Sequence, residues 1–203
     1  LLADVIKDVD GCFHLSGVSS VQASIREWGR AHRVNCLGSI ELFNLCAEVG
    51  LPVVYASSAA VYGDKSNSEH AFASPYAFDK YAVEMHAKLL GRFKGLRSCG
   101  LRLFNVYGPR QVKNSDYSGV ITIFQEQIAG GRPVTIYGDG TQTRDFIHVQ
   151  DVAEAFYRAM RDGVSFLGDV VDVCTGNSIS INELVEILAN GRDVEVEYYP
   201  VKP

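Results

Sequence analysis

The strongest constraint on this sequence is the way short apolar runs alternate with longer segments of helical periodicity. Apolar runs occur at 12–15, 52–56, 101–104 and 170–174, and helical patterns occupy 31–49 and 74–93. In 31–49, Val34, Leu37, Ile40, Leu42, Phe43, Leu45 and Cys46 recur at helical spacing, and Gly50 and Pro52 then stop the helix. In 74–93, Ser74 is a natural N-cap and Pro75 suits the first turn, where a missing N–H costs nothing. The run at 52–56 is apolar without alternation, as expected of a strand covered on both faces. Strands of about five residues joined by helices of about 15 need crossover connections, so the sheet is predicted to be parallel and the class α/β.

The later part is less regular. Helices are predicted at 119–129, 151–160 and 181–189, and strands at 134–137, 146–149, 170–174 and 194–198. Glycine turns and charges between these shorter elements predict a smaller lobe, with a boundary near 109–115.

Composition narrows the function classes. Of 203 residues, 47% are hydrophobic and 21% charged, which excludes wholesale disorder. A net charge of −5 without a basic cluster argues against nucleic acid as a partner. No apolar run approaches the roughly 20 residues that span a bilayer, and no signal-peptide pattern opens the chain, so no membrane partner is expected. The five cysteines (Cys12, Cys36, Cys46, Cys99, Cys174) have neither metal-ligand spacing nor the density of a disulfide scaffold. They are predicted to be structural, in a reducing, cytoplasmic compartment, with no metal site.

Chemistry concentrates in three places. The first is Tyr76-Ala77-Phe78-Asp79-Lys80, because residues at i and i+4 share a helix face and put a phenol beside an ammonium. A tyrosine titrates near 10, and work as a base near neutrality needs a shift of about three pH units, which a fixed cation can supply. The spacing is weak evidence by itself, since Tyr198 and Lys202 repeat it with Pro200 between them. The second is Ser57-Ser58-Ala59-Ala60-Val61-Tyr62-Gly63, directly after a buried strand. A serine at the carboxyl end of a parallel strand faces the crevice where such sheets bind ligands; otherwise it caps a turn. The third joins 101–110 to 138–145, where the fork of Arg144 suits phosphate oxygens or a surface ion pair.

Together, His14-Leu15-Ser16-Gly17, Val34-Asn35, the Ser57–Gly63 run, Tyr76-x3-Lys80, 101–110 and Thr143-Arg144-Asp145-Phe146-Ile147-His148-Val149 resemble the extended short-chain dehydrogenase/reductase family. Within it the chain is most similar to the NAD-dependent nucleotide-sugar 4-epimerases that act on UDP-glucose and UDP-N-acetylglucosamine. The resemblance implies a Rossmann domain, over 1–112 and 146–175, and a smaller nucleotide-sugar lobe, over 113–145 and 176–203. It implies that Tyr76 is the catalytic acid/base, that Lys80 binds the nicotinamide ribose and lowers the tyrosine's pKa, and that Ser58 completes the triad. Leu15, Ser16, Gly17, Asn35, Ser57 and Phe104 would line the NAD cleft. Asn105 and Arg144 match positions that contact the diphosphate of a UDP-sugar or another nucleotide sugar, and 133–137, ending in Tyr137, would border the base. A homodimer would form through the helices 31–49 and 74–93.

Departures from the pattern are equally informative. The family's G-x-x-G-x-x-G turn is absent from these residues, and so is the acidic residue that selects NAD over NADP. The segments 64–74 and 188–194 are short. The reading therefore expects the first βαβ unit to be missing and the chain to be a piece of a longer polypeptide. Dehydratases of the family carry an Asp-Glu pair where Ala59 and Ala60 stand, and its decarboxylases keep a Glu at the position of Ala60. Simple C4 epimerisation is therefore favoured, with a reductase using the same triad, or a non-catalytic dinucleotide-binding fragment, as the alternatives.

Overall fold

In the computed structural model, which describes residues 2–63, 72–113, 117–162 and 167–200, the chain divides into two compact units. One comprises Leu1–Leu103 and Asp151–Val173, the other Phe104–Gln150 and Cys174–Pro203. In chain order the strands are β1 (Cys12–His14), β2 (Val53–Ser58), β3 (Ser98–Leu103), β4 (Asn105–Tyr107), β5 (Val134–Tyr137), β6 (Thr143–His148), β7 (Leu167–Val173), β8 (Ser178–Ser180) and β9 (Val196–Tyr199). The α-helices are α1 (Leu2–Val5), α2 (Val21–Arg26), α3 (Trp28–His32), α4 (Gly38–Val49), α5 (Pro75–Lys94), α6 (Val120–Ala129), α7 (Val149–Arg161) and α8 (Ile181–Ala189).

The first unit is an all-parallel sheet in the order β1-β2-β3-β7, which bears out the α/β reading. Val53, Val54 and Tyr55 of β2 are fully buried, as the unbroken apolar run predicts. Phe13 of β1 stacks on Phe156 of α7, whereas the next residue, His14, stacks on Phe43 of α4. Successive strand residues point to opposite faces, so α7 and α4 cover the two sides of the sheet. The larger core lies under α4 and α5 and holds Phe43, Cys46, Tyr55, Val83 and Leu96.

Helix α5 starts and stops where its sequence directs. The Ser74 hydroxyl accepts the Ala77 N–H at 3.2 Å, a cap worth about 1 kcal/mol, and Pro75 opens the first turn. Gly95, at φ 70, ends the helix in a left-handed conformation that a side chain would disfavour. The helix predicted at 31–49 is less uniform. It runs through α3 into a π-helical segment, Arg33–Leu37, and then into α4. This wide turn buries Asn35 and Cys36, and such turns are frequent at functional sites.

The second unit has its own small core of Phe124, Val134, Ile136, Ile181, Leu184 and Val185. In it β4 runs parallel to β6, β8 antiparallel to β6, and β5 parallel to β9. A capping box between Ser180 and Glu183 opens α8. Three short elements, α2, β4 and β8, are not predicted from the sequence. At three to six residues they are too short to carry a period, and pairing or packing with distant segments makes them. Among the described residues no helix is long and apolar enough to cross a membrane, and no group of three or more His, Cys, Asp or Glu side chains could hold a metal ion.

Candidate active site

The carboxyl ends of β1 and β2, with the first two turns of α5, bring most of the predicted residues of the first unit together. Ser58 is the last residue of β2, and its hydroxyl accepts the Ala60 N–H at 3.2 Å, capping a 3-10 turn over Ala59–Tyr62. Tyr76, 9% exposed, lies in the first turn of α5, with the Ser58 side chain acting on its phenol. One turn on, the Lys80 ammonium sits 5.8 Å from the centre of the Tyr76 ring and donates to the Ala56 carbonyl at 2.7 Å. The three groups thus form one cluster that two elements hold, β2 and α5.

The electrostatics differ from the expectation that Lys80 depresses the phenol. Burial pushes the Tyr76 phenol above its ordinary value, and the opposing pull comes from the Ser58 side chain. Lys80 lies over the ring and donates its hydrogen bond to a backbone carbonyl, and desolvation of the phenolate dominates. Burial also pulls the ammonium down to about 8, against the carboxylates of Asp79 and Glu84, which raise it.

Leu15, Ser16 and Gly17 form an exposed loop directly after β1, with Leu15 59% exposed. A Cβ built on Gly17 would lie 3.0 Å from Asn35 Oδ1 and 3.9 Å from Lys80 Nζ, so a bare backbone here faces the ammonium. Asn35 does not offer its amide outward. It is buried, accepts the Val18 N–H at 2.7 Å and donates to the Val18 carbonyl at 3.1 Å, clamping the loop from below. The Ser39 hydroxyl donates to the Asn35 carbonyl at 2.6 Å and lies 2.8 Å from His14 Nε2, whose N–H it therefore accepts. Burial, and then the charge of Lys80, hold His14 down at about 4, so its ring is neutral near pH 7. An ammonium, a serine hydroxyl and an exposed glycine backbone fit the ribose hydroxyls and amide of a nicotinamide nucleotide.

Sequence reasoning missed the residues that lock this cluster. The Ser57 hydroxyl is buried and donates to Glu84, a fully buried carboxylate one turn beyond Lys80. Arg102 grips Glu84 with two bonds of 2.9 and 2.7 Å and reaches the Tyr62 hydroxyl at 2.8 Å. Tyr62 in turn donates to Asp172 of β7. Asp79, also fully buried, meets His32 Nδ1 at 2.6 Å through one oxygen, while its other oxygen has no hydrogen-bond partner among the described residues. The signal was available: two acids, Asp79 and Glu84, stand among the buried residues of α5, where unpaired carboxylates are not tolerated.

The second unit holds Phe104, Asn105, Tyr137 and Arg144. Phe104 is half-buried directly before β4. Asn105, exposed at the start of β4, donates to the Asp145 carbonyl at 2.9 Å, which ties it to the residue after Arg144. Arg144 is exposed, with one guanidinium nitrogen 2.8 Å from the Thr143 carbonyl. Tyr137 is half-exposed at the end of β5, its ring 6.2 Å from that of Tyr199. Asp145, by contrast, is buried and accepts from Thr175 N, Thr175 Oγ1 and Gly176 N. Of the second Tyr–Lys pair, Tyr198 lies in β9 and Lys202 outside the described residues; most of the short segment 64–74 is likewise outside them.

Compared with known proteins, residues 1–174 match the model of the NAD dependent epimerase/dehydratase family. The chain belongs to that family. It is 35% identical to the UDP-glucose 4-epimerase of Mycolicibacterium smegmatis over 98% of its own length and 66% of that protein's. Its structure superposes with a TM-score of 0.91 on a Methanobrevibacter ruminantium UDP-N-acetylglucosamine 4-epimerase in complex with UDP-N-acetylmuramic acid. That pair shares 37% identity, covering 100% of this chain and 67% of the other. A Bacillus cereus UDP-glucuronic acid 4-epimerase in complex with UDP-glucuronic acid and NAD superposes at 0.88 with 25% identity, covering 100% of this chain and 66% of that one. The chain spans 61–66% of the length of the curated relatives it matches.

Proposed function

We propose that this family member inverts C4 of a nucleotide-diphosphate hexose, a UDP-sugar first of all, through a transient 4-keto sugar. The observation that carries the reading is the Ser58–Tyr76–Lys80 cluster at the carboxyl ends of a parallel sheet. Bound NAD supplies hydride acceptance and return at the sugar carbon. Lys80, Ser16 and the Leu15–Gly17 backbone hold its nicotinamide ribose, with Asn35 keeping the loop in place. Tyr76 exchanges the proton of the sugar 4-hydroxyl through its phenol. Burial raises the phenol, so the phenolate that takes the 4-hydroxyl proton as hydride leaves C4 forms against desolvation, and Tyr76 gives the same proton back to the oxygen as hydride returns. Ala59 and Ala60 occupy the 3-10 turn beside Ser58 and offer no acid for dehydration. In the second unit, Asn105 and Arg144 bind the diphosphate and Tyr137 borders the base.

Homodimerisation and a cytoplasmic setting belong to the same proposal. Val34 and Leu37, and Phe78, Leu89 and Phe93 of α5, are exposed apolar side chains on the two predicted interface helices, and the five cysteines are free thiols. The test is incubation of the protein with NAD and UDP-glucose or UDP-N-acetylglucosamine, with the products resolved by NMR. The expected result is the C4 epimer without net reduction of nicotinamide. Net NADH formation in step with substrate loss would instead assign a dehydrogenase, net NADH consumption a reductase, and no conversion of any UDP-hexose would sink the reading.

A further inference from the structure

Glu84 and Arg102 are absent from the proposed chemistry, yet they connect the strand and helix that carry Ser58, Tyr76 and Lys80. Tyr76, Lys80 and Glu84 stand at i, i+4 and i+8 on one face of α5. Glu84 is 0% exposed and receives three donated hydrogen bonds, one from the Ser57 hydroxyl and two from the Arg102 fork. Ser57 and Arg102 are register partners across β2 and β3, so the carboxylate sits over their joint. Arg102 then holds the Tyr62 hydroxyl, and Tyr62 ends the 3-10 turn that the Ser58 hydroxyl begins. Ser58 is therefore pinned on both sides, through Ser57 before it and Tyr62 after it, by one buried ion pair. The last link, Tyr62 to Asp172, anchors the chain of bonds on β7.

We infer that the Glu84–Arg102 pair is a positioning unit that sets the serine-bearing strand against the tyrosine- and lysine-bearing helix. This rests on the functional reading above and deepens it. A buried ion pair is a weak source of stability, because desolvation offsets its attraction, so its use here lies in geometry and charge. The carboxylate also acts on Lys80 from one turn away and holds its proton more firmly. The groups facing Lys80 are Asp79 and Glu84 on its own helix, the Tyr76 ring, neutral His14 from β1 and the Ala56 carbonyl from β2.

The experiment compares the parent protein with Glu84→Gln/Arg102→Met. The double change removes both charges together and strands neither, while the glutamine amide can still accept from Ser57. Folding is checked by cooperative melting. Two readouts follow: the pH profile of C4 inversion, and the Lys80 titration by NMR of isotope-labelled lysine, which needs no turnover. The expected result is a kcat lower by about 10- to 100-fold with KM for the UDP-sugar little changed. Loss of a negative neighbour lets the ammonium deprotonate earlier, so both the alkaline limb and the Lys80 titration move to lower pH by about one pH unit. Arg102→Lys, which keeps the charge but loses the fork, is the second variant. It lowers kcat and leaves the Lys80 titration in place. A folded double variant with parental turnover and an unmoved Lys80 titration overturns the inference, as does parental turnover in Arg102→Lys. If the parent inverts no UDP-hexose, the functional reading fails, and the Lys80 titration still decides the inference.

Discussion

The two units treat their candidate functional side chains in opposite ways. In the first, Ser58, Tyr76 and Lys80 are enclosed and interlocked, and the charges that fix them, Glu84 and Arg102, form one chain of bonds across three strands and a helix. In the second, Asn105, Arg144 and Tyr137 are exposed, and the buried acid beside them, Asp145, is committed to its own loop at Thr175–Gly176. Proton transfer tolerates little positional error, so its groups are worth immobilising in a buried network. Recognition of a charged, solvated diphosphate can be left to side chains on a surface that a buried scaffold keeps in shape.

Breaking the comparison at its strongest point means Tyr76→Phe. The ring keeps its packing and loses the proton, so C4 inversion is expected to fall about 10²- to 10⁴-fold with little change in melting temperature. A folded variant that turns over normally removes Tyr76 from the chemistry. Next is Asp145→Ala, which withdraws an acceptor from three donors at once. The expectation is a loss of about 2–3 kcal/mol in urea unfolding, with hydrogen exchange at 174–177 accelerated most. Equal protection of that loop in the variant would mean that the carboxylate is no anchor. The smallest effect belongs to Arg144→Ala. Stability should stay within about 0.5 kcal/mol, because the side chain is exposed, while UDP-sugar affinity by calorimetry weakens about tenfold. Unchanged affinity would take the diphosphate away from Arg144 and weaken the contrast itself.

Much of the architecture was legible in the residues. The helix predicted at 181–189 and the strand at 134–137 form over those residues, and Ser74 caps α5 as its side chain suggests. Those signals are local, since caps, turn residues and periodic apolar faces act within a few residues of themselves. The misses share a cause as well. Helix α2 and strands β4 and β8 exist because distant segments pair with or pack on them, and the π-helical segment at Arg33–Leu37 leaves no periodic signature. At the site, the i, i+4 spacing of Tyr76 and Lys80 was readable, but the sign of the electrostatics was not. The sequence suggests an ammonium lowering a phenol; burial raises the phenol, and Ser58 opposes it from strand β2.

By itself, then, the order of residues determined an alternating α/β chain, a parallel sheet, and which tyrosine and lysine could meet, because those depend on spacing and pattern along single elements; that Ser58 joins them was implied by the family resemblance. The tertiary structure decided that Asn35 clamps a loop, that Ser57 serves Glu84, and that Arg102 ties strand to helix. Desolvation and long-range pairing exist only once separate segments share an interior, and no local pattern encodes how deeply a charge will be buried or which partner will reach it.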